Sequence, residues 1–126
     1  MDLIGNAVRK LDLQTLNQFT GTTQYRRIGP RHLLTDGTHY LAEQAECYWL
    51  MGEIALHLTE LGTQDWFVLV TVSVNADGQA VLTYSDGDGG ERARQTIPYT
   101  DCPLDSIRLY ACWDTRHWVI MLPSEY

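Results

Sequence analysis

The spacing of apolar residues changes at Gly62, and this change limits the folds that the chain can adopt. Over residues 36–61 apolar side chains recur every three or four positions, which predicts one amphipathic helix that Gly62 ends. From Trp66 onward apolar and polar residues alternate, as they do in strands with one buried face. A long helix followed by a run of short strands predicts an α+β domain.

The second half of the chain predicts an antiparallel sheet of four or five strands. Residues 66–74 (WFVLVTVSV) alternate most clearly, and a turn sequence at 75–78 leads to a returning strand at 79–85. The remaining strands are predicted at 92–97, 106–112 and 117–122. Apolar spacing between residues 3 and 19 predicts one bent helix or two short ones. We expect this N-terminal helix and the central helix to pack on one face of the sheet, within a single domain spanning residues 1–126.

A helical wheel divides the central helix into an apolar arc and a polar stripe. The arc contains Tyr40, Cys47, Tyr48, Met51, Ile54, Ala55 and Leu58. The stripe contains His39, Glu43, Glu46, Glu53 and His57. Trp49 and Leu50 fall close to the stripe, so we expect a second partner to cover part of that face. A stripe about 27 Å long cannot be one metal site.

No catalytic residue, metal ligand or cofactor is assigned from the sequence. It contains no nucleophile motif, phosphate-binding loop or dinucleotide fingerprint. Glu53 and His57, with Asp36, are the candidate set for the alternative of a small metal-dependent enzyme, whereas a solvated polar face is the simpler interpretation. Residues 86–91 (DGDGGE) resemble a calcium loop in composition, but they lack its glycine at the sixth position and predict a hairpin loop instead.

Charge is distributed unevenly along the chain. It has 9 basic and 16 acidic residues and a net charge of −7, yet no Lys or Arg lies between Arg31 and Arg92. Such a block repels phosphates, so nucleic acid is not an expected ligand, and a protein with a basic surface is the expected partner. The acids predicted to form the partner-binding face are Glu43, Glu46, Glu53, Glu60, Asp86 and Asp88. The plainer alternative is an acidic surface that only keeps the protein soluble.

Cysteine use and hydropathy predict a cytoplasmic protein. Cys47, Cys102 and Cys112 make an odd count without paired spacing, which favours reduced thiols. Residues 1–11 lack the apolar core of a signal peptide, and no apolar run approaches the roughly 20 residues that span a membrane.

Several segments of the chain resemble one bacterial family. They are FTGTTQY (19–25), TDGTHYLAEQA (35–45), YWL (48–50), QTIPYTDCPL (95–104) and LPSEY (122–126). In these segments the chain is similar to the domain of unknown function 6876, and it departs from the usual pattern at Glu46, Cys47 and Cys102. The resemblance implies a small bacterial or bacteriophage-associated protein and supplies no activity.

These observations favour a non-enzymatic interaction protein, carried by a phage or another mobile element. One concrete form is an inhibitor of a nucleic-acid-handling defence complex, of the anti-CRISPR or antirestriction type. A homodimer held by exposed aromatics such as Trp113 and Trp118 is an alternative. A stacking platform for single-stranded nucleic acid is another, with backbone contacts from Arg92, Arg94, Arg108 and Arg116.

Overall fold

A computed structural model describes residues 16, 18–100 and 105–126. Its elements in chain order are strands β1 (Arg26–Gly29) and β2 (His32–Leu34), helices α1 (Asp36–Gln44) and α2 (Tyr48–Leu61), strands β3 (Phe67–Val74), β4 (Ala80–Ser85), β5 (Glu91–Ile97), β6 (Ser106–Trp113) and β7 (Trp118–Met121), and a 3-10 helix at Pro123–Glu125. The fold class is α+β, as predicted. The predicted N-terminal helix falls almost entirely outside the described residues, as does Cys102. Neither α1 nor α2 is long and apolar enough to cross a bilayer.

Seven strands form one mixed sheet in the order β1-β2-β7-β6-β3-β4-β5. The five strands predicted after Gly62 are present and pair antiparallel with one another. The prediction of four or five strands was too low, because two further strands and one parallel pairing extend the sheet. Strand β2 runs parallel to β7, with His32 opposite Trp118 and Leu34 opposite Ile120. Strands β1 and β2 were missed because segments of three or four residues are too short to show an alternation, and β7 lies far away in the sequence.

One face of the sheet carries the core. Val68 and Val70 of β3 are buried in a cluster that includes Met51 and Leu58 of α2. The His57 ring stacks on the Tyr84 ring with their centroids 5.2 Å apart, so α2 also lies over β4. Burying a large apolar side chain stabilises the fold by about 1.5–3 kcal/mol, and this cluster therefore holds α2 to the sheet.

The predicted central helix is two helices, and the prediction of one continuous helix was wrong. Residues 45–47 separate them, with Glu46 in the left-handed region at a φ of 52°. The backbone N–H of Cys47 donates to the Ala42 carbonyl at 2.9 Å, and that of Glu46 donates to the Glu43 carbonyl at 3.3 Å. These are the two hydrogen bonds of a Schellman helix end. Glycine usually marks such an end, so a glutamate at this position gave no sign of it in the sequence.

Two side chains of α2 were assigned to the wrong side of the border between the apolar arc and the polar stripe. The wheel for one helix placed Tyr48 on the apolar arc and Leu50 near the polar stripe. In the structure Tyr48 is 44% exposed and Leu50 is 1% exposed, so both placements were wrong. Both residues lie in α2, at opposite borders of the predicted arc, so the break at residues 45–47 does not account for them. It instead changes the face of α1, where Leu41 and Ala42 are buried although the wheel left them outside the arc. The burial predicted for Met51 and Ile54 is confirmed.

The N-terminus of α1 is fixed by residues from two distant segments. Thr35 is the N-cap, and its Oγ1 accepts a hydrogen bond from the Thr38 backbone N–H. The Glu125 carboxylate, from the 3-10 helix, accepts hydrogen bonds from Thr35 Oγ1 at 2.6 Å and from the Gly37 backbone N–H at 3.0 Å. It also accepts one from the Leu122 backbone N–H at 3.0 Å. A carboxylate at this end stabilises the helix because the helix dipole is positive there.

Candidate functional site

The structure distributes the predicted acids over three places. Glu43 and Glu46 lie at the junction of α1 and α2, Glu53 and Glu60 lie on α2, and Asp86 and Asp88 lie in the loop between β4 and β5. The polar stripe predicted for one helix is also divided, because His39 and Glu43 belong to α1 whereas Glu53 and His57 belong to α2. The carboxylates therefore differ in how available they are to a partner.

Glu53 and His57 are engaged with the protein itself. Glu53 Oε1 accepts a hydrogen bond from Gln95 Nε2 of β5 at 2.8 Å. His57 Nδ1 lies 3.0 Å from the backbone carbonyl oxygen of Glu53, and its ring stacks on Tyr84. Within residues 18–100 and 105–126, no group of three His, Cys, Asp or Glu side chains is arranged to hold a metal ion.

Asp36, the third member of the metal-enzyme alternative, also has partners nearby. Its carboxylate accepts hydrogen bonds from the backbone N–H of Thr23 at 2.8 Å and from Thr23 Oγ1 at 3.1 Å. The hydrogen bond from the Thr23 backbone lowers the pKa of Asp36 below its usual value. These contacts give Asp36 a structural role, joining the segment before β1 to the first turn of α1.

The loop between β4 and β5 is a hairpin loop, as interpreted from its sequence. Asp86 Oδ1 accepts hydrogen bonds from the backbone N–H groups of Asp88 at 2.8 Å and Gly90 at 3.0 Å. These hydrogen bonds, that from Asp88 being the larger influence, lower the pKa of Asp86. No described residue forms a hydrogen bond or an ion pair with the Asp88 carboxylate. Asp88 is thus the acid in this loop that a ligand can reach.

The junction of the two helices combines exposed acids with exposed apolar side chains. A shallow depression of about 410 Å³ is lined by Ala42, Glu43, Glu46, Tyr48 and Trp49. Leu56 of α2 is 62% exposed, and it lies on the same side of α2 as Trp49 because seven residues make two helical turns. We call Glu43, Glu46, Tyr48, Trp49 and Leu56 the junction surface.

Glu43 and Glu46 are the acids of the junction surface. His39 Nε2 lies 3.5 Å from Glu43 Oε2, which is a weak, exposed contact. No described residue forms a hydrogen bond or an ion pair with the Glu46 carboxylate. Its backbone is held at a positive φ that costs a residue with a Cβ about 1–2 kcal/mol. No contact of the Glu46 side chain with a described residue offsets this strain. A strained residue with an exposed side chain is a candidate for a role in binding.

Comparison with known proteins identifies the family. A model described as "Family of unknown function (DUF6876)" matches residues 10–126. The chain belongs to this family. The resemblance predicted from the sequence segments is confirmed. Membership adds no activity, since the family itself is described as one of unknown function.

A solved structure shares the fold. A protein of unknown function from Enterococcus faecalis is similar with a TM-score of 0.50 and 18% sequence identity, over 79% of this chain and 93% of that one. At this identity the similarity concerns the fold alone. The comparison with curated proteins finds no match.

Sequence reasoning missed Leu56 and misplaced Trp118. A helical wheel puts Leu56 and Trp49 opposite Leu58 whether or not the helix breaks at residues 45–47, so the signal for Leu56 was present in the sequence. Trp118 is 2% exposed and belongs to the core, and as a residue of β7 it pairs with His32 of β2. The interpretation of Trp118 as an exposed aromatic that holds a homodimer was therefore wrong. Trp113 is half-buried, with its ring 5.6 Å from that of Trp118.

Replacing Glu46 by glycine should stabilise the fold by about 1 kcal/mol. Glycine adopts a φ of 52° without the steric penalty of a Cβ, and the Schellman hydrogen bonds are made by the backbone. Urea unfolding of the two proteins measures the difference. Glu43→Gly is the matched control, because Glu43 lies inside α1 and glycine there should cost about 1 kcal/mol. If both substitutions destabilise, Glu46 is not strained.

Proposed function

We propose that this protein is a non-enzymatic binding protein whose junction surface docks on the basic surface of another protein. The observation that carries the proposal is the exposure of Trp49 beside Glu43 and Glu46, with Leu56 exposed two turns further along the same side of α2. Interfaces concentrate their binding energy in aromatic side chains near the centre, with polar groups around them. A Trp and a Leu exposed between acids have this composition.

The charges near the junction surface favour a basic partner. Among the described residues, no Lys or Arg lies within ion-pair distance of Glu43, Glu46 or Glu60. The cations that follow the acidic block are already paired within the sheet region: Arg94 binds Glu91 through two hydrogen bonds, and Arg92 pairs with Asp65 and Asp86. The helix acids therefore form no ion pair with these cations, although the charge of Arg26 acts on Tyr48 at the edge of the junction surface. A net negative potential at the acids would steer a positively charged protein toward them.

The partner class that we propose is a protein with a basic, nucleic-acid-binding surface. An acidic protein surface and a nucleic acid both satisfy such a groove with negative charge, so they compete for it. Blocking the groove would make this protein an inhibitor of a nucleic-acid-handling defence complex, of the anti-CRISPR or antirestriction type. The absence of Lys and Arg between Arg31 and Arg92 supports this form of the proposal.

A differential pull-down tests the docking surface. Tagged protein is incubated with bacterial lysate, washed at low and moderate salt, and the eluates are identified by mass spectrometry. We expect a basic protein that wild type captures at low salt and that is lost with Trp49→Ala and with the double variant Glu43→Gln/Glu46→Gln. The matched controls are Tyr99→Ala and Asp77→Asn, which change an exposed aromatic and an exposed acid elsewhere and should capture it as wild type does.

The purified captured protein then tests the mechanism. We expect its affinity to fall about tenfold or more with Trp49→Ala and to fall steeply with salt. Addition of this protein should also displace nucleic acid from it. Equal affinity for wild type and the junction variants would contradict the docking surface, whereas binding without displacement would contradict inhibition.

A further inference from the structure

A cleft walled by aromatic rings lies on the side of the sheet away from the core. Its volume is about 520 Å³, within the range of small-molecule sites. Phe67 of β3 and Tyr110 of β6 form its floor, since each alternates with buried residues along its strand. Tyr126 packs edge-to-face on both, with ring centroids 5.8 Å and 5.3 Å away. Trp66 completes the wall and is 58% exposed.

Carboxylates line the rim of the same cleft. They belong to Asp65, Asp86 and Asp88. The single cation in the lining, Arg92, has its Nε 3.0 Å from Asp65 Oδ2 and its Nη2 3.6 Å from Asp86 Oδ2. Arg92 is therefore occupied and does not offer an anion site. Three carboxylates against one guanidinium leave the lining with a net negative charge.

The loop between β4 and β5 sets Asp88 at the edge of the aromatic wall. Gly87 has a φ of 88°, and a Cβ there would lie 3.0 Å from Phe67 Cε2, so the loop backbone rests against this ring. Asp88 follows Gly87 directly and lines the cleft. Its carboxylate has no partner among the described residues, whereas its backbone N–H is fixed by Asp86. The cleft thus joins π-faces with one available acceptor.

We propose that this cleft binds a guanidinium group, with the cation against the aromatic wall and its N–H donors on Asp88. Aromatic faces attract cations, and a planar guanidinium both stacks on a ring and donates to a carboxylate. A primary ammonium is more strongly hydrated, and a quaternary ammonium has no N–H for Asp88. The group can belong to a protein side chain or to a free arginine-like molecule. This site is separate from the junction surface and does not depend on the proposed function.

Titration with N-acetyl-L-arginine methylamide, followed by NMR chemical shifts, tests the site. We expect saturable shifts in residues of the cleft. The matching lysine probe should bind at least about fivefold more weakly than the arginine probe. Asp88→Asn should weaken the arginine probe about tenfold, because it removes a charged hydrogen-bond acceptor. Trp66→Ala should weaken it about fivefold through loss of a cation–π contact. Both side chains are exposed, so neither substitution removes a core contact.

The chain offers a matched control for each variant. Asp77 lies in the hairpin loop between β3 and β4, where its backbone N–H donates to Asn75 Oδ1 at 2.9 Å, just as that of Asp88 donates to Asp86 Oδ1. Asp77→Asn and Tyr99→Ala, the latter at an exposed aromatic outside both proposed sites, should bind the arginine probe as wild type does. Absence of saturable binding, equal affinity for both probes, or equal losses with Asp77→Asn and Asp88→Asn would overturn the proposal.

A second pair of probes separates the two sources of the group. Free L-arginine and a capped Gly-Arg-Gly peptide are titrated under the same conditions. Tighter binding of the peptide supports a protein side chain as the ligand, and tighter binding of the amino acid supports a small molecule. Both results support guanidinium recognition. Neither probe requires the partner protein of the junction surface. The cleft can therefore fail to bind arginine while the junction surface still binds its partner, and the junction surface can fail while the cleft binds arginine.

Discussion

Glu125→Ala should lower the free energy of unfolding by about 3 kcal/mol, measured by urea denaturation at neutral pH. The Glu125 carboxylate accepts hydrogen bonds from Thr35 Oγ1, from the Gly37 backbone N–H and from the Leu122 backbone N–H. Alanine would leave these partly buried donors without their acceptor. It would also remove a negative charge from the N-terminus of α1, where the helix dipole favours one.

Ser124→Ala is the matched control for Glu125. Ser124 is the preceding residue of the same 3-10 helix, and its Oγ lies 3.5 Å from the Leu16 carbonyl, at the limit of a hydrogen bond. Its loss should change the free energy of unfolding by about 0.5 kcal/mol or less. Equal effects of the two substitutions would show that the Glu125 carboxylate does not hold α1 in solution.

Three of the segments that resemble the family meet at the N-terminus of α1. Thr22 and Thr23 bind the first residue of the helix, Asp36, and Glu125 binds Thr35 and Gly37. The polar residues of these three segments therefore have a role in folding. The YWL segment differs, because Leu50 is buried whereas Tyr48 and Trp49 are exposed. The Tyr48 ring contacts that of His39 edge-to-face, with centroids 6.1 Å apart, whereas the proposed junction surface would give Trp49 a role.

The sequence predicted those parts of the fold whose signal is local. Strands β3, β4 and β6 each show an alternation over six or more residues, and each was placed correctly within about two residues. Strand β2 has three residues and gains its hydrogen bonds from β7, so no local pattern marks it. The break between α1 and α2 was missed because Glu46 occupies a position where glycine is the usual signal.

The candidate sites were less predictable than the fold. The acidic block and the position of Leu56 opposite Leu58 were both visible in the sequence, but that no other element covers Leu56 among the described residues followed only from the structure. The aromatic cleft assembles Trp66, Asp88, Tyr110 and Tyr126 from four separate segments. Their proximity depends on the register of β3 with β6, which sets Phe67 opposite Cys112 and Leu69 opposite Tyr110. No spacing within one segment carries that information.

Trp118→Ala should destabilise the fold by about 4 kcal/mol, the largest effect that we predict. Trp118 is 2% exposed and lies opposite His32 across the parallel pairing of β2 with β7. Removing its indole would leave a cavity that the surrounding strands cannot fill. Urea denaturation measures the change in the free energy of unfolding, and the midpoint temperature of thermal unfolding should fall as well.

Trp113→Ala is the matched control, because Trp113 is the direct cross-strand neighbour of Trp118 and is only half-buried. It should cost about 2 kcal/mol or less, since part of the indole is already in water. Similar small effects of both substitutions would place Trp118 at the surface and contradict its burial. The homodimer alternative stays a prediction, which sizing at several concentrations would test. A large difference between them would instead support the burial of Trp118 in the core, on the strand that pairs with β2 and that joins the part of the sheet that no local sequence pattern predicts.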